Sequence, residues 1–154
     1  MSRGAINHED GREALPKSAD LKRLLTYWQE RCGAREFPRR ADVDPLDLRF
    51  MLDRIALTEV HEGPRRYRLR VVGSHWYRML GFEATGLWMH EWPHENQRKL
   101  TEDFYASLIE GRRPRFARRD IIVDDQLLHY EIMLLPLSED GSTISMIMTG
   151  IGPD

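Results

Sequence analysis

Arg66-Tyr67-Arg68-Leu69-Arg70-Val71-Val72-Gly73-Ser74-His75-Trp76-Tyr77-Arg78-Met79-Leu80-Gly81 decides the architecture. Arginine alternates with Tyr67, Leu69 and Val71, the period of two of a pleated strand. The strand stops at Gly73, and Ser74 is placed to cap a short helix carrying Trp76, Met79 and Leu80. Gly81 suits the left-handed end of that helix. Beyond it, Trp88, His90 and Trp92 make the segment rich in aromatics and histidine.

Upstream, Leu21, Leu24, Leu25, Trp28 and Cys32 recur on one helical face, with Ser18 or Asp20 to start the helix and Gly33 to end it. Its apolar stripe needs a cover, either the chain's own domain or a second copy. Asp44 before Pro45 is a capped helix start, and the short helix it opens carries Leu46, Leu48, Phe50, Met51 and Leu52. Ile55–Val60 reads as a strand and Glu62-Gly63-Pro64 as its turn. From Pro93 a longer helix repeats Leu100, Phe104 and Leu108, until Gly111 and Pro114 stop it. Three strands close the chain: Arg115 to Val123, Leu127 to Leu135 and Thr143 to Ile151. Helices inserted between the second and third of five antiparallel strands roof one sheet face, and such a roof encloses a pocket.

Composition limits the partners. The 154 residues fit one domain, a polar tail at 1–17 followed by a single unit at 18–154. The net charge of −2 gives no field that favours nucleic acid or an anionic membrane surface. No apolar run approaches the roughly 20 residues of a membrane span. With one cysteine, Cys32, and no apolar leader, a cytoplasmic location is expected. His75, His90, His94 and His129 have no zinc spacing, so no metal site is assigned. A haem needs only one axial histidine and stays open; no cofactor is named.

The stretches Phe37-Pro38-Arg39-Arg40-Ala41-Asp42-Val43-Asp44-Pro45-Leu46-Asp47-Leu48, Tyr67–Ser74, Gly81-Phe82-Glu83-Ala84-Thr85-Gly86 and Glu131–Ser138 resemble a small proteobacterial branch of the PAS sensor domains. Two departures are mild. Leu52-Asp53 stands where the branch has leucine-proline, and Gly73-Ser74 where it has glycine-threonine. The resemblance implies an α+β fold: a five-stranded antiparallel sheet in spatial order 2-1-5-4-3, helices over one face and an N-terminal helix. In that order the arginine-rich strands 66–72 and 115–123 become the two edges, where charge deters aggregation.

The resemblance also implies a sensory or regulatory module rather than an enzyme, binding a small ligand or a signalling partner protein. Its output is expected to pass to a separate protein, since the chain ends at Asp154 with no effector attached. Candidate ligand contacts are Arg70, His75, Trp76, Met79, Trp88, His90, Trp92, Phe104, His129 and Met133. PAS domains commonly dimerise through the N-terminal helix, which makes Leu21, Leu24, Leu25 and Trp28 the expected homodimer interface. The competing readings are an interaction domain with a filled core, and a small α+β enzyme using a His–acid pair such as His129 with Asp120. Glu131 is expected in an ion pair with Arg70 or Arg118.

Overall fold

The computed structural model describes residues 5–9 and 15–153. One antiparallel sheet organises them, with strands β1 (Ala5–Glu9), β2 (Ile55–Val60), β3 (Tyr67–Val72), β4 (Arg115–Val123), β5 (Gln126–Leu137) and β6 (Met146–Pro153). Their spatial order is β1-β4-β5-β6-β2-β3. Without β1 this is the expected 2-1-5-4-3 arrangement. The extra strand falls within residues 1–17, read from sequence as a tail: Ala5–Glu9 pairs along β4 from Ala5↔Ile121 to Glu9↔Ala117. Residues 1–4 and 10–14 lie outside the described residues. β4 is therefore an inner strand, and of the two arginine-rich strands only β3 lies at a sheet edge.

That edge is partly closed by the chain itself. Leu69 N–H donates to Leu87 O at 2.9 Å, Gly86 N–H donates to Leu69 O at 2.7 Å, and Arg68 bridges to Trp88. The strap 86–88 thus satisfies part of the ladder that β3 would otherwise leave open.

Helix α1 (Ala19–Cys32) begins on Ser18, whose hydroxyl accepts from Leu21 N–H, and ends at Gly33. The helix foreseen at 45–52 is two 3₁₀ turns instead, Pro45–Leu48 and Leu52–Arg54, the first capped by Asp44 as expected. After β3 come the short α2 (His75–Leu80) and, past a 3₁₀ turn at Met89–Glu91, the longer α3 (Glu95–Gly111). Ser74 does not cap α2: its backbone is already helical and its side chain accepts no cap bond. Gly81 ends α2 with φ 86°, the left-handed conformation expected of it.

Gly73 is where the sheet gives way to the roof. Its N–H donates to Ile55 O at 2.8 Å and its carbonyl accepts from Trp76 N–H at 3.0 Å. A Cβ there would meet the Asp53 carbonyl oxygen at 2.3 Å, so only glycine lets β3 pass the turn before β2.

Pairing fixes which side chains share a face, because directly paired residues of an antiparallel sheet point the same way. Gly150 pairs with Met133, and a Cβ on it would touch Leu24, Leu21 and Met51. Met133, Glu131 and Leu135 therefore face α1, while Tyr130, Ile132 and Leu134 face α2 and α3. Leu21, Leu24 and Trp28 are buried, and Trp28 Nε1 donates to Pro136 O at 2.9 Å. Each such burial is worth about 1.5–3 kcal/mol, so α1 is a fixed layer of the domain. Leu21, Leu24 and Trp28, expected at a dimer interface, are thus packed on the sheet of their own chain. The outer face of the sheet is apolar, and the chain covers it with its own helix; Leu25 is half-buried beside the same core. Among the described residues no helix is long and apolar enough to cross a membrane.

Candidate functional site

The roof helices and the sheet leave a two-part cavity between them. The inner chamber, about 70 Å³, is walled by Ala56, Leu69, Val72, Trp76, Leu80, Trp92, Leu100, Thr101, Phe104, Tyr105, Arg119, Ile132, Leu134 and Thr149. The outer chamber, about 410 Å³, is walled by Trp76, Met79, Leu80, Asn96, Gln97, Leu100, Thr101, Arg119, Ile121 and Ile132. Six residues belong to both, so the chambers adjoin across Trp76, Leu80, Leu100, Thr101, Arg119 and Ile132.

Each wall has a local origin. α2 starts directly after the Gly73 turn, which sets Trp76 and Met79 over the sheet. Gln97, Leu100, Thr101 and Phe104 share one face of α3 by helical spacing. Trp92 follows the 3₁₀ turn 89–91 and packs edge-on against Phe82, ring centroids 5.2 Å apart. Arg119 pairs across the ladder with Tyr130, which puts it on the roof side of β4.

The polar groups of this apolar cavity are unevenly matched. Tyr105 and Thr58 share a buried hydroxyl–hydroxyl contact at 2.9 Å, and burial pushes the Tyr105 phenol up to about 12. Arg119 is 3% exposed; its guanidinium carbon sits 4.8 Å from the Phe104 ring centroid, and Nη1 donates to Arg118 O at 3.4 Å. A cation on an aromatic face is attracted to it, most of all when desolvated. Trp76 and Trp92 are 8% and 5% exposed, and neither indole N–H has a hydrogen-bond partner among the described residues. The Oε1 of Gln97 is likewise buried without one, while its Nε2 donates to Leu80 O at 3.4 Å. Most buried polar groups find partners, and one without a partner costs about 1–3 kcal/mol. With Thr149 Oγ1, four such atoms belong to residues that line this cavity.

Of the residues expected from sequence, Trp76, Met79, Trp92 and Phe104 line the cavity. The other six do not. Arg70 has a side chain 65% exposed and donates to Glu59 at 3.0 Å. Its parity in β3 turns it away from the roof. Met133 is buried on the α1 side by its pairing with Gly150. His129 shares that face, where Nδ1 lies 2.7 Å from Asp120 Oδ1 and the side chain is 52% exposed. The His–acid pair considered for an enzyme therefore forms, but at the surface of the sheet and outside the cavity. His75 stacks edge-on to Tyr130 at 6.1 Å, and burial holds its imidazole below its usual value. Trp88 sits at the β3 edge beneath Arg68, 5.6 Å from its ring, and beside His61 at 5.0 Å. His90 is exposed. No histidine lines either chamber.

Glu131 also departs from expectation. Fully buried, its carboxylate accepts Lys17 N–H at 2.8 Å and Ser18 N–H at 2.6 Å, at the start of α1. Arg70, one of its two expected partners, goes to Glu59 instead.

Arg119, Gln97 and Thr149 are among the wall residues that sequence reading missed. Gln97 was recoverable, lying seven residues before Phe104 on the same helix face. Arg119 was not, since alternation shows that Arg118 and Arg119 point oppositely without saying which one meets the roof.

Comparisons with known proteins agree with this architecture. A family model described as PAS domain matches residues 16–151. No curated protein and no solved structure matches the chain. PAS domains are generally sensory or regulatory rather than catalytic. The family match spans α1, the three 3₁₀ turns that follow it, five strands of the sheet and the helical roof over the cavity, and on that ground the chain belongs to the PAS domain family.

Proposed function

We propose that this chain is a sensory module whose roofed cavity binds a small, mostly apolar ligand and passes the state of that cavity to another protein or a second copy. The observation that carries this reading is the pair of buried indole N–H groups, of Trp76 and Trp92, in the wall of a mostly apolar cavity. A ligand acceptor would pair donors that the fold itself leaves without a partner.

The route outward runs through β5. Ile132 and Leu134 touch the cavity, while the intervening parity sends Glu131 to the first turn of α1. A ligand that shifts β5 therefore acts on α1 through a charge-assisted contact. With Leu21, Leu24 and Trp28 spent on the sheet, an arriving partner or second copy meets the outward side of α1. There Lys22, Arg23, Thr26 and Glu30 line a surface groove of about 800 Å³ with Leu46 and Phe50.

Native mass spectrometry of the purified chain tests the first step, together with a thermal-shift screen against a metabolite panel. A retained small molecule, or a ligand that raises the melting temperature and alters tryptophan emission, is expected. No bound species and no shift across the panel would leave a ligand-free interaction domain. Light scattering with and without the bound molecule then reads whether assembly changes with occupancy.

A further inference from the structure

The sheet covers one side of α1, and the other side borders the surface groove. By helical spacing Lys22, Thr26 and Glu30 form one row of that side, and Arg23, Tyr27 and Arg31 the next. The facing wall is the 3₁₀ turn Pro45–Leu48 with the two residues after it, Arg49 and Phe50. One phenol ties the walls together. Tyr27 Oη donates to Asp47 Oδ2 at 2.9 Å and accepts from Asp44 N–H at 3.0 Å. Asp44 Oδ1 in turn accepts Leu46 N–H at 2.9 Å, so the turn is held both by its own cap and by α1. A groove fixed in this way needs little ordering when a partner enters it.

Its charges are unbalanced. Lys22, Arg23, Arg31 and Arg49 stand against two carboxylates, Glu30 and Asp47, and Asp47 already accepts from Tyr27. All four cations are exposed, and none has a carboxylate partner among the described residues. Two of them lie on rings instead: the guanidinium carbon of Arg23 is 4.0 Å from the Phe50 centroid, and that of Arg31 is 5.0 Å from the Tyr27 centroid. A cation on an aromatic face keeps its charge and its donors. Leu46, in the same groove, is 67% exposed.

Resting on the reading of this side of α1 as the output surface, we propose that the groove docks a short acidic segment of a partner protein, its carboxylates on the four cations and an apolar side chain against Leu46. Forked guanidinium groups suit two-point pairing with a carboxylate. A peptide spaces its acids with other side chains, so it can meet the cations and skip Glu30. A nucleic acid fits less well, because base stacking needs bare aromatic faces and guanidinium groups already lie on Phe50 and Tyr27. From Lys22 to Arg31 the helix rises about 14 Å, the span of about nine helical residues or four extended ones. Lys22 lies one turn beyond Ser18, which Glu131 holds, so the groove stands at the end of the route from the cavity.

The test uses a fluorescein-labelled peptide of four Glu-Glu-Leu repeats, titrated into the full chain and followed by anisotropy. Two control peptides replace every glutamate by glutamine or every leucine by serine. The acidic leucine peptide is expected to bind at least about tenfold more tightly than either control, and to weaken as salt rises. Lys22→Glu and Arg49→Glu reverse one charge on each wall and should each weaken it about tenfold. Arg65→Glu makes a like change in the turn between β2 and β3 and should leave it unaltered. Leu46→Ser should bring the leucine peptide down to the level of the serine control. All four positions are exposed, so the variants keep the fold. A glutamine peptide that binds equally well, wall variants without effect, or a single-stranded DNA dodecamer that binds more tightly would overturn the proposal. So would an acidic peptide that does not bind, and a dimer in light scattering that Arg49→Glu disperses would then give the groove to a second copy. Each of these failures leaves the cavity reading standing. If the peptide binds while the chain retains no small molecule and shows no thermal shift, the docking site stands and the cavity reading falls.

Discussion

Replacing Gly73 with alanine puts a methyl carbon 2.3 Å from the Asp53 carbonyl oxygen, 2.5 Å from its carbon and 2.8 Å from Leu52 O. All three are backbone atoms of the turn that leads into β2, so none can rotate aside. The chain at 73 must move, which strains its bonds to Ile55 O and from Trp76 N–H. Overpacking costs about 1–3 kcal/mol and each weakened hydrogen bond about 0.5–1.5 kcal/mol, so the loss comes to about 2–6 kcal/mol, centred near 4 kcal/mol. Against a typical stability of 5–15 kcal/mol this is a large share, and it lowers the melting temperature by roughly 10 °C or more. Gly150→Ala is the matched control. Its methyl meets Leu24 Cδ2 at 2.7 Å, Leu21 Cδ2 at 3.0 Å and Met51 Cε at 3.2 Å, all side-chain ends that can turn away. Its cost should stay near 1–2 kcal/mol, at the low end of overpacking. Urea denaturation followed by tryptophan fluorescence compares the two. Equal losses, or a Gly73→Ala loss below about 1 kcal/mol, would refute the claim that an unyielding backbone contact fixes the roof to the sheet.

Glu131→Ala strands the Lys17 and Ser18 N–H groups and should cost about 2–4 kcal/mol. Hydrogen exchange should show lost protection in the first turn of α1 before any change in β2; uniform loss across the chain would contradict a local fastening role. Tyr105 carries a phenol raised to about 12 against 10.0 when unfolded, so its share of stability is complete below pH 10 and falls as pH rises from 10 to 12. The two-unit difference corresponds to about 3 kcal/mol at most. Tyr105→Phe should flatten that alkaline decline in urea melts at pH 9 and pH 11, and an unchanged slope would count against it.

Much of the architecture was legible because both periods were clean. Leu21, Leu24, Trp28 and Cys32 gave the face that α1 buries, and the alternation of 66–72 gave β3. Strand order came from the family resemblance rather than from any periodicity. β1 was invisible for a physical reason: Ala5-Ile6-Asn7-His8-Glu9 joins the sheet through its backbone, which requires no apolar alternation. At the cavity, large aromatics identified themselves, since Trp76, Trp92 and Phe104 had to be buried somewhere. His129 and Met133 lie away from the cavity for one shared reason. Both faces of β5 are buried along much of its length, so parity separates 129, 131 and 133 from 130, 132 and 134 without saying which set meets the roof. Arg70 failed in a similar way. The irregular register between Leu57 and Thr58 shifts the pairing of β2 and β3, and no residue pattern announced it.

The strap at 86–88 has a consequence for what this sheet can recruit. An extended peptide that joined a β3 edge as a further strand would compete for the same Leu69 groups now bonded to Gly86 and Leu87. Winning them would release the segment that leads, within a few residues, to Trp92 in the cavity wall. Strand recruitment at this edge would therefore disturb the cavity wall as well. A substitution that loosened the strap would free the Leu69 backbone groups at the sheet edge and slacken the approach to Trp92 together.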